Sequence, residues 1–223
     1  MTDFVIAIDG PSGTGKSTVA RRVAASLGAG YLDTGAMYRI VTLAVLAAGI
    51  DPHDEDAVAG LLETLSFVSP TDPDAQVHEL GGRDVGGAIR RADVTSAVSP
   101  VSANPAVRAW LKGRQQELAA AGRMVVEGRD IGTVITPDAN LKIYLTADEE
   151  IRAARRHTDS AARLGADLAT IRASLAVRDA YDSTRTHAPL TAAADAVVLD
   201  STDLEIAQTV EAVLTLAAER GIR

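Results

Sequence analysis

The sequence predicts an α/β fold, a five-stranded parallel sheet with helices on both faces, and three observations predict it. Short apolar runs alternate with longer helical patterns along most of the chain, which is how a buried parallel sheet is written. The first run, Phe4 to Ile8, ends at Asp9-Gly10 and passes through a glycine-rich turn into a helical pattern. One stretch, Ser66 to Arg90, breaks that rhythm with short alternating pieces between turn residues.

Phe4-Val-Ile-Ala-Ile8 is apolar throughout and reads as a strand buried on both faces. A helix follows from about Lys16 to Leu27, then a strand at Tyr31-Leu32 ending in Asp33-Thr34-Gly35. Ala36 to Ala48 is rich in Ala, Leu and Val and helical, stopped by Gly49 with Pro52 beyond. Another helix is expected from Asp54 to about Leu65. In the stretch from Ser66, Phe67-Val-Ser and Gln76 to Leu80 alternate in polarity between Pro70, Asp72-Pro73 and Gly81-Gly82, the pattern of a small antiparallel sheet. Asn104-Pro105 opens a long helix through Ala121, with proline at the first helical position. Met124 to Val126 and Leu141 to Leu145 are the next core strands. Thr146 with Glu149 reads as a capping box before an arginine-rich helix. Helices near Asp167–Arg185 and Leu204–Arg220 bracket a last strand, Ala196 to Leu199.

The chain of 223 residues suits one domain, divided as a core over 1–65 and 100–223 with an insertion at about 66–99. A net charge of −8 argues against binding a nucleic-acid polymer, which needs a basic face. Lys16, Lys112 and Lys142 are the only lysines among 22 basic residues. The arginine excess suits bidentate phosphate contacts, although a coding bias gives the same imbalance. With no cysteine there is no disulfide, thiol nucleophile or cysteine-held zinc. The four histidines show no ligand spacing, and Trp110 reads as helix packing. Nothing resembles a signal peptide or a membrane span, so no membrane partner and a cytoplasmic location are expected.

Gly10-Pro11-Ser12-Gly13-Thr14-Gly15-Lys16-Ser17 fits G-x-x-x-x-G-K-[ST] at every fixed position, with Thr18 following, and lies between a strand and a helix. Glycines let successive N–H groups turn inward onto phosphate oxygens, and the helix beginning near Lys16 adds its positive end. Lys16 then reaches the terminal phosphates of a nucleoside triphosphate, and the Ser17 hydroxyl can ligate Mg²⁺. The fold expected is that of the P-loop NTPases. Asp33 and Glu127 each close a strand, so both point to the sheet edge where ligands bind, as water-mediated metal partners or as loop-fixing carboxylates.

Three further clusters couple arginine with carboxylates or hydroxyls: Asp33 to Arg39, Glu127 to Thr133, and Arg178 to Arg185. Thr34 also fits a helix N-cap. Arg178, Asp182 and Arg185 share a helix face, as a solvated ion-pair ladder would. Taken together the clusters suit a phosphorylated, hydroxylated acceptor: arginines neutralise its phosphate, and carboxylates accept from hydroxyls or an exocyclic amine.

GPSGTGKST at 10–18, LDTGAMYR at 32–39, EGRDIGT at 127–133 and RDAYDSTR at 178–185 resemble the bacterial cytidylate kinase family, as do DVGGAIR at 84–90 and SPVSANPAVR at 99–108. The resemblance runs through nearly the whole chain in order. It implies ATP phosphorylating CMP and dCMP with Mg²⁺, in a monomer. It places Arg39, Arg129 and Arg185 on the acceptor phosphate and Asp130 on the cytosine amino group. Ser99 and Arg108 would read the rest of the base edge, Arg178 and Asp182 would bind the sugar hydroxyl, and Thr34 and Tyr38 would line the pocket. Thr34 stands where the family commonly has serine. A lid at about 152–166 would close arginines over ATP, Arg155 or Arg156 before Arg152, with Arg163 in the same stretch. Kinase action on UMP, dTMP or another small acceptor is the alternative, and a P-loop ATPase switch a more distant one. The cytidylate reading requires the phosphate loop and the arginines to face each other across one cleft.

Overall fold

The computed structural model describes residues 3–164 and 167–223. Five strands, β1 (Val5–Asp9), β2 (Gly30–Asp33), β6 (Met124–Gly128), β7 (Leu141–Thr146) and β8 (Val197–Asp200), form one sheet in the order β2-β6-β1-β7-β8. Every pairing in it is parallel. The expected five-stranded sheet is therefore present, with β1 at its centre.

Alternation along the strands sends side chains to two cores. Ile6, Ile8, Val125, Ile143 and Leu145 pack with Val19 and Val23 of α1 (Lys16–Leu27) and Val213 of α8 (Ile206–Glu219). Ala7, Leu32 and Val126 face the other way, onto α2 (Thr34–Ala47), α3 (Glu55–Leu61) and the two helices after the insertion. Each fully buried aliphatic side chain contributes about 1.5–3 kcal/mol, so the two cores fix the sheet's carboxyl edge as a rigid base.

The irregular stretch forms its own antiparallel sheet of β3 (Phe67–Val68), β4 (Glu79–Leu80) and β5 (Arg83–Asp84). It sits on α2 through a small core of Ala36, Ile40, Val85 and Ile89. The helix α4 (Ala92–Ala103) follows, and it crosses the boundary expected near residue 99. Its small and β-branched residues, and Pro100 inside it, hide a helical pattern. Asn104 then accepts from Ala106 N and Val107 N to start α5 (Pro105–Ala119), and its amide donates to Glu55 O at 3.0 Å.

Phe67 of the insertion packs beside Trp110 of α5, ring centroids 5.8 Å apart, and the Arg114 guanidinium lies 4.1 Å from the Trp110 ring. After β6 the chain makes a π-helical turn, Ile131–Ile135, absent from the sequence reading.

The arginine-rich helix α6 (Glu149–Leu164) begins at Glu149 itself, so Thr146 is the last residue of β7 and not an N-cap. Its carbonyl instead accepts from Ser201 N and Oγ. The reciprocal capping box occurs at Glu205 and Gln208, opening α8. Helices α6 and α7 (Leu168–Thr184) pair through Ala153, Ile171 and Leu175. Of the expected lid, residues 165 and 166 and the side chains of 159–164, Arg163 among them, lie outside the described residues. Among the described residues no helix is long and apolar enough to cross a membrane.

Candidate active site

The phosphate loop leaves β1 through Gly10, whose φ of +148° and close approach (a Cβ would lie 2.0 Å from Leu145 O) admit only glycine. The loop ends at Gly15, in the left-handed region, which caps α1. Ser12, Gly13, Gly15, Lys16, Ser17 and Thr18 line a cavity of about 1420 Å³ on the carboxyl edge of the sheet. Gly10, Pro11 and Thr14 do not line it; they hold the loop's shape from beneath. Thr14 Oγ1 donates to Pro11 O at 3.2 Å, and Lys16 Nζ folds back onto the same carbonyl at 2.6 Å. Burial, with Arg129 nearby, pushes the Lys16 ammonium down to about 7. A bound polyphosphate would reverse that shift by supplying the missing negative charge.

Asp33 and Glu127 end neighbouring strands at paired positions. Asp33 Oδ1 caps α2 by accepting from Ala36 N at 2.8 Å, while Arg90 approaches Oδ2 at 3.8 Å. Glu127 accepts from the Tyr31 hydroxyl at 3.1 Å. Burial first and the Asp33 charge second push the Glu127 carboxyl up, with Lys16 and Ser17 opposing. The donor set is oxygen only, and two carboxylates held against each other accommodate a hard divalent cation that would relieve their repulsion. Ser17, Asp33 and Glu127 therefore fit Mg²⁺. Among the described residues no group of three or more His, Asp and Glu could hold a metal ion unaided.

The acceptor residues converge on the same cavity. Thr34, Tyr38, Arg39, Ser99, Arg108, Arg129, Asp130, Arg178, Asp182 and Arg185 all border it, together with Lys16. Arg129 bridges the two halves, donating Nη2 to Ser12 Oγ at 2.6 Å and Nε to Asp182 Oδ2 at 3.0 Å. Arg185 lies 3.7 Å from Asp182 and 3.6 Å from Asp130, with Nη2 buried and without a hydrogen-bond partner. Burial alone raises the Asp182 carboxyl, but Arg129, Arg178 and Arg185 together outweigh it and leave it below its ordinary value.

Arg39 donates Nη1 to Ile89 O and Thr95 Oγ1, both at 3.0 Å, linking α2 to the insertion. Burial, then Arg178 and Arg156, push it down to about 9, and burial with Arg129 pushes Arg178 down to about 10. Both stay cationic at neutral pH, so the pocket gathers several guanidinium groups around the Asp130 and Asp182 carboxylates.

Asp130 is gripped by Arg108 Nη2, and Arg108 Nη1 donates to Ser102 O at 3.1 Å. Burial pushes the Asp130 carboxyl up, against Arg108 and Arg185. Tyr38, pushed up to about 12 by burial, lies under the Arg108 guanidinium at 5.7 Å. The Thr34 hydroxyl is spent on Glu127 O at 2.6 Å, so Thr34 offers the cavity its surface more than its donor.

Among the arginines of α6, Arg155 and Arg156 border the cavity. Arg155 is already engaged with Ser201 O at 2.6 Å and Leu204 O at 3.0 Å. Arg152 is latched between Ser12 O and Asp179, whose carboxylate also accepts from Ser12 N at 3.1 Å. Asp9, Arg90, Ser102 and Asp179 lie within or beside the quoted motifs, but the sequence assigns them no role. The available signal for Asp9 was its place at a strand end directly before the loop.

A glycine-rich loop and an arginine-lined pocket sharing one cavity on a parallel sheet's carboxyl edge define a P-loop phosphotransferase. The chain belongs to the cytidylate kinase family: the family model described as cytidylate kinase matches residues 6–219. A protein named cytidylate kinase from Mycobacterium avium (strain 104) is 52% identical over 221 residues, covering 98% of this chain and 97% of its own. One of the same name from Rhodococcus opacus (strain B4) is 51% identical over 222 residues, covering 99% and 97%. The crystal structure of an uncharacterized protein from Eubacterium ventriosum ATCC 27560 shares the fold alone, at TM-score 0.52 and 11% identity, over 96% of this chain and 97% of that one.

Proposed function

We propose that this chain transfers the terminal phosphoryl group of ATP to CMP and dCMP, giving CDP and dCDP. The observation that carries the reading is the Asp130 carboxylate, gripped by Arg108 and bordering the same cavity as Lys16. An ionised carboxylate accepts from the amino group of cytosine and repels the carbonyl that uracil places there.

The chemistry asked of the protein is positioning and charge. An acceptor phosphate oxygen attacks the γ-phosphorus, the new O–P bond forming as the bond to the β-phosphate oxygen breaks and its electrons pass to ADP. The acceptor phosphate is largely ionised near pH 7, so no general base is needed. Arg39, Arg129 and Arg185 hold that phosphate, Lys16 offsets charge on the donor, and Arg155 and Arg156 face the transferred group. Arg178 and Asp182 take the sugar hydroxyl, and Ser99 and Tyr38 bound the base. Ser17, Asp33 and Glu127 would hold Mg²⁺, which withdraws charge from the β- and γ-phosphates when bound. The insertion and the lid at about 152–166 exclude water, which would otherwise hydrolyse ATP. A cytoplasmic location and action as a monomer belong to the same reading.

Steady-state rates across CMP, dCMP, UMP and dTMP test it. CMP and dCMP are expected to lead, and Asp130→Asn to cut the CMP-over-UMP preference by about 10²-fold or more. Equal use of all four acceptors would overturn the reading.

A further inference from the structure

We infer that Asp9, which lies in the sheet and not in the substrate cavity, is a positioning residue for base selectivity, because it caps a helical turn that Asp130 would otherwise have to cap. The inference rests on the acceptor reading above.

Asp130 occupies the N-cap position of the turn Ile131–Ile135. An aspartate there ordinarily folds its carboxylate back onto the amides two and three residues on, here those of Gly132 and Thr133. Asp130 makes no such bond. The nearer of the two, Gly132 N, donates instead to Asp9 Oδ2, and Ile131 N before it donates to Asp9 Oδ1, each at 2.8 Å. Asp9 is 4% exposed, so water cannot replace it there. With the turn capped from outside, the Asp130 carboxylate is released to Arg108 and Arg185 at the cavity wall.

The geometry needs an aspartate. Both oxygens accept, and an asparagine would set its amide donor against one of the two N–H groups. The next residue is Gly10, where the phosphate loop starts. One residue thus ties the start of the donor loop to the loop that carries the base-reading carboxylate.

The test is the ratio of kcat/KM for CMP to that for UMP, which does not depend on how much of a preparation is folded. Asp9→Asn is expected to lower that ratio by about tenfold or more, as Asp130 turns back onto the orphaned amides. Adding Asp9→Asn to Asp130→Asn is expected to change it no further, because both act through one carboxylate. An unchanged ratio in the single variant, or a further independent fall in the double, overturns the assignment of Asp9. Should Asp9→Asn fail to fold, Asp9→Ser leaves a single acceptor for the two amides, and the same fall is expected; an unchanged ratio again overturns it. A wild-type enzyme without preference for CMP would overturn the acceptor reading itself, and this inference with it.

Discussion

The carboxyl group of Asp9 is pushed up to about 6 from 3.8, chiefly by burial and further by the Asp130 charge, against its bonds from Gly132 and Ile131. A carboxyl raised on folding stabilises most when protonated. Its contribution is full below the unfolded value and is lost as pH rises through about 6. Asp9→Asn cannot titrate. Urea unfolding is therefore expected to show the variant gaining on the wild type by on the order of 2 kcal/mol between about pH 4 and about pH 7.5. A gap that stays constant or moves the other way would contradict this origin of the shift. Lys16 carries a simpler expectation. It is the ammonium of the phosphate loop, and Lys16→Ala is expected to lower kcat by about 10³-fold, read by coupled ADP release. Activity near wild type would exclude Lys16 from transition-state stabilisation.

At the scale of elements, Asn104 separates α4 from α5 by capping one helix and bonding to Glu55 O. Asn104→Ala removes the cap and leaves Glu55 O short of a donor, so a loss of about 1–2 kcal/mol is expected in thermal or urea unfolding. A loss below a few tenths would mean that Pro105 alone sets the helix start. The same element shows what the sequence disclosed. Asn-Pro is a local signal, and it placed α5 within two residues of its observed end. The phosphate loop was equally readable, because its chemistry is written in consecutive residues. The helix α4 was not, since Val, Ser, Thr and an internal Pro lack a helical signature and tertiary packing decides. The Thr146–Glu149 pair matched a cap by spacing alone, and the β7–β8 pairing claimed Thr146 first. That the three arginine clusters serve one acceptor is read from their residues and strand-end places, while the individual roles of Arg39, Arg129 and Arg185 come through the family resemblance. The position of Asp9 at a strand end was legible, but its partners Ile131 and Gly132, and the bond from Ser12 N to Asp179, lie more than a hundred positions away and had no local signal.

For the whole molecule, the cavity lies between parts that are fastened unequally. Its floor is the sheet with two buried cores, while α6 and α7 meet through Ala153, Ile171 and Leu175. The insertion is held to α2 by its small core and by Arg39. Motion on substrate binding should therefore be carried by the insertion and the lid, with the floor still. The protein has a single tryptophan, Trp110 of α5, and its neighbour Phe67 comes from the insertion and packs against both the main core and the insertion's own. The indole is thus an intrinsic fluorophore at the seam between the insertion and the main core. Titrating CMP is expected to shift its emission, and Phe67→Leu to blunt the shift while CMP still saturates turnover. An emission spectrum indifferent to the nucleotide would mean that the insertion travels with the floor, as one rigid piece.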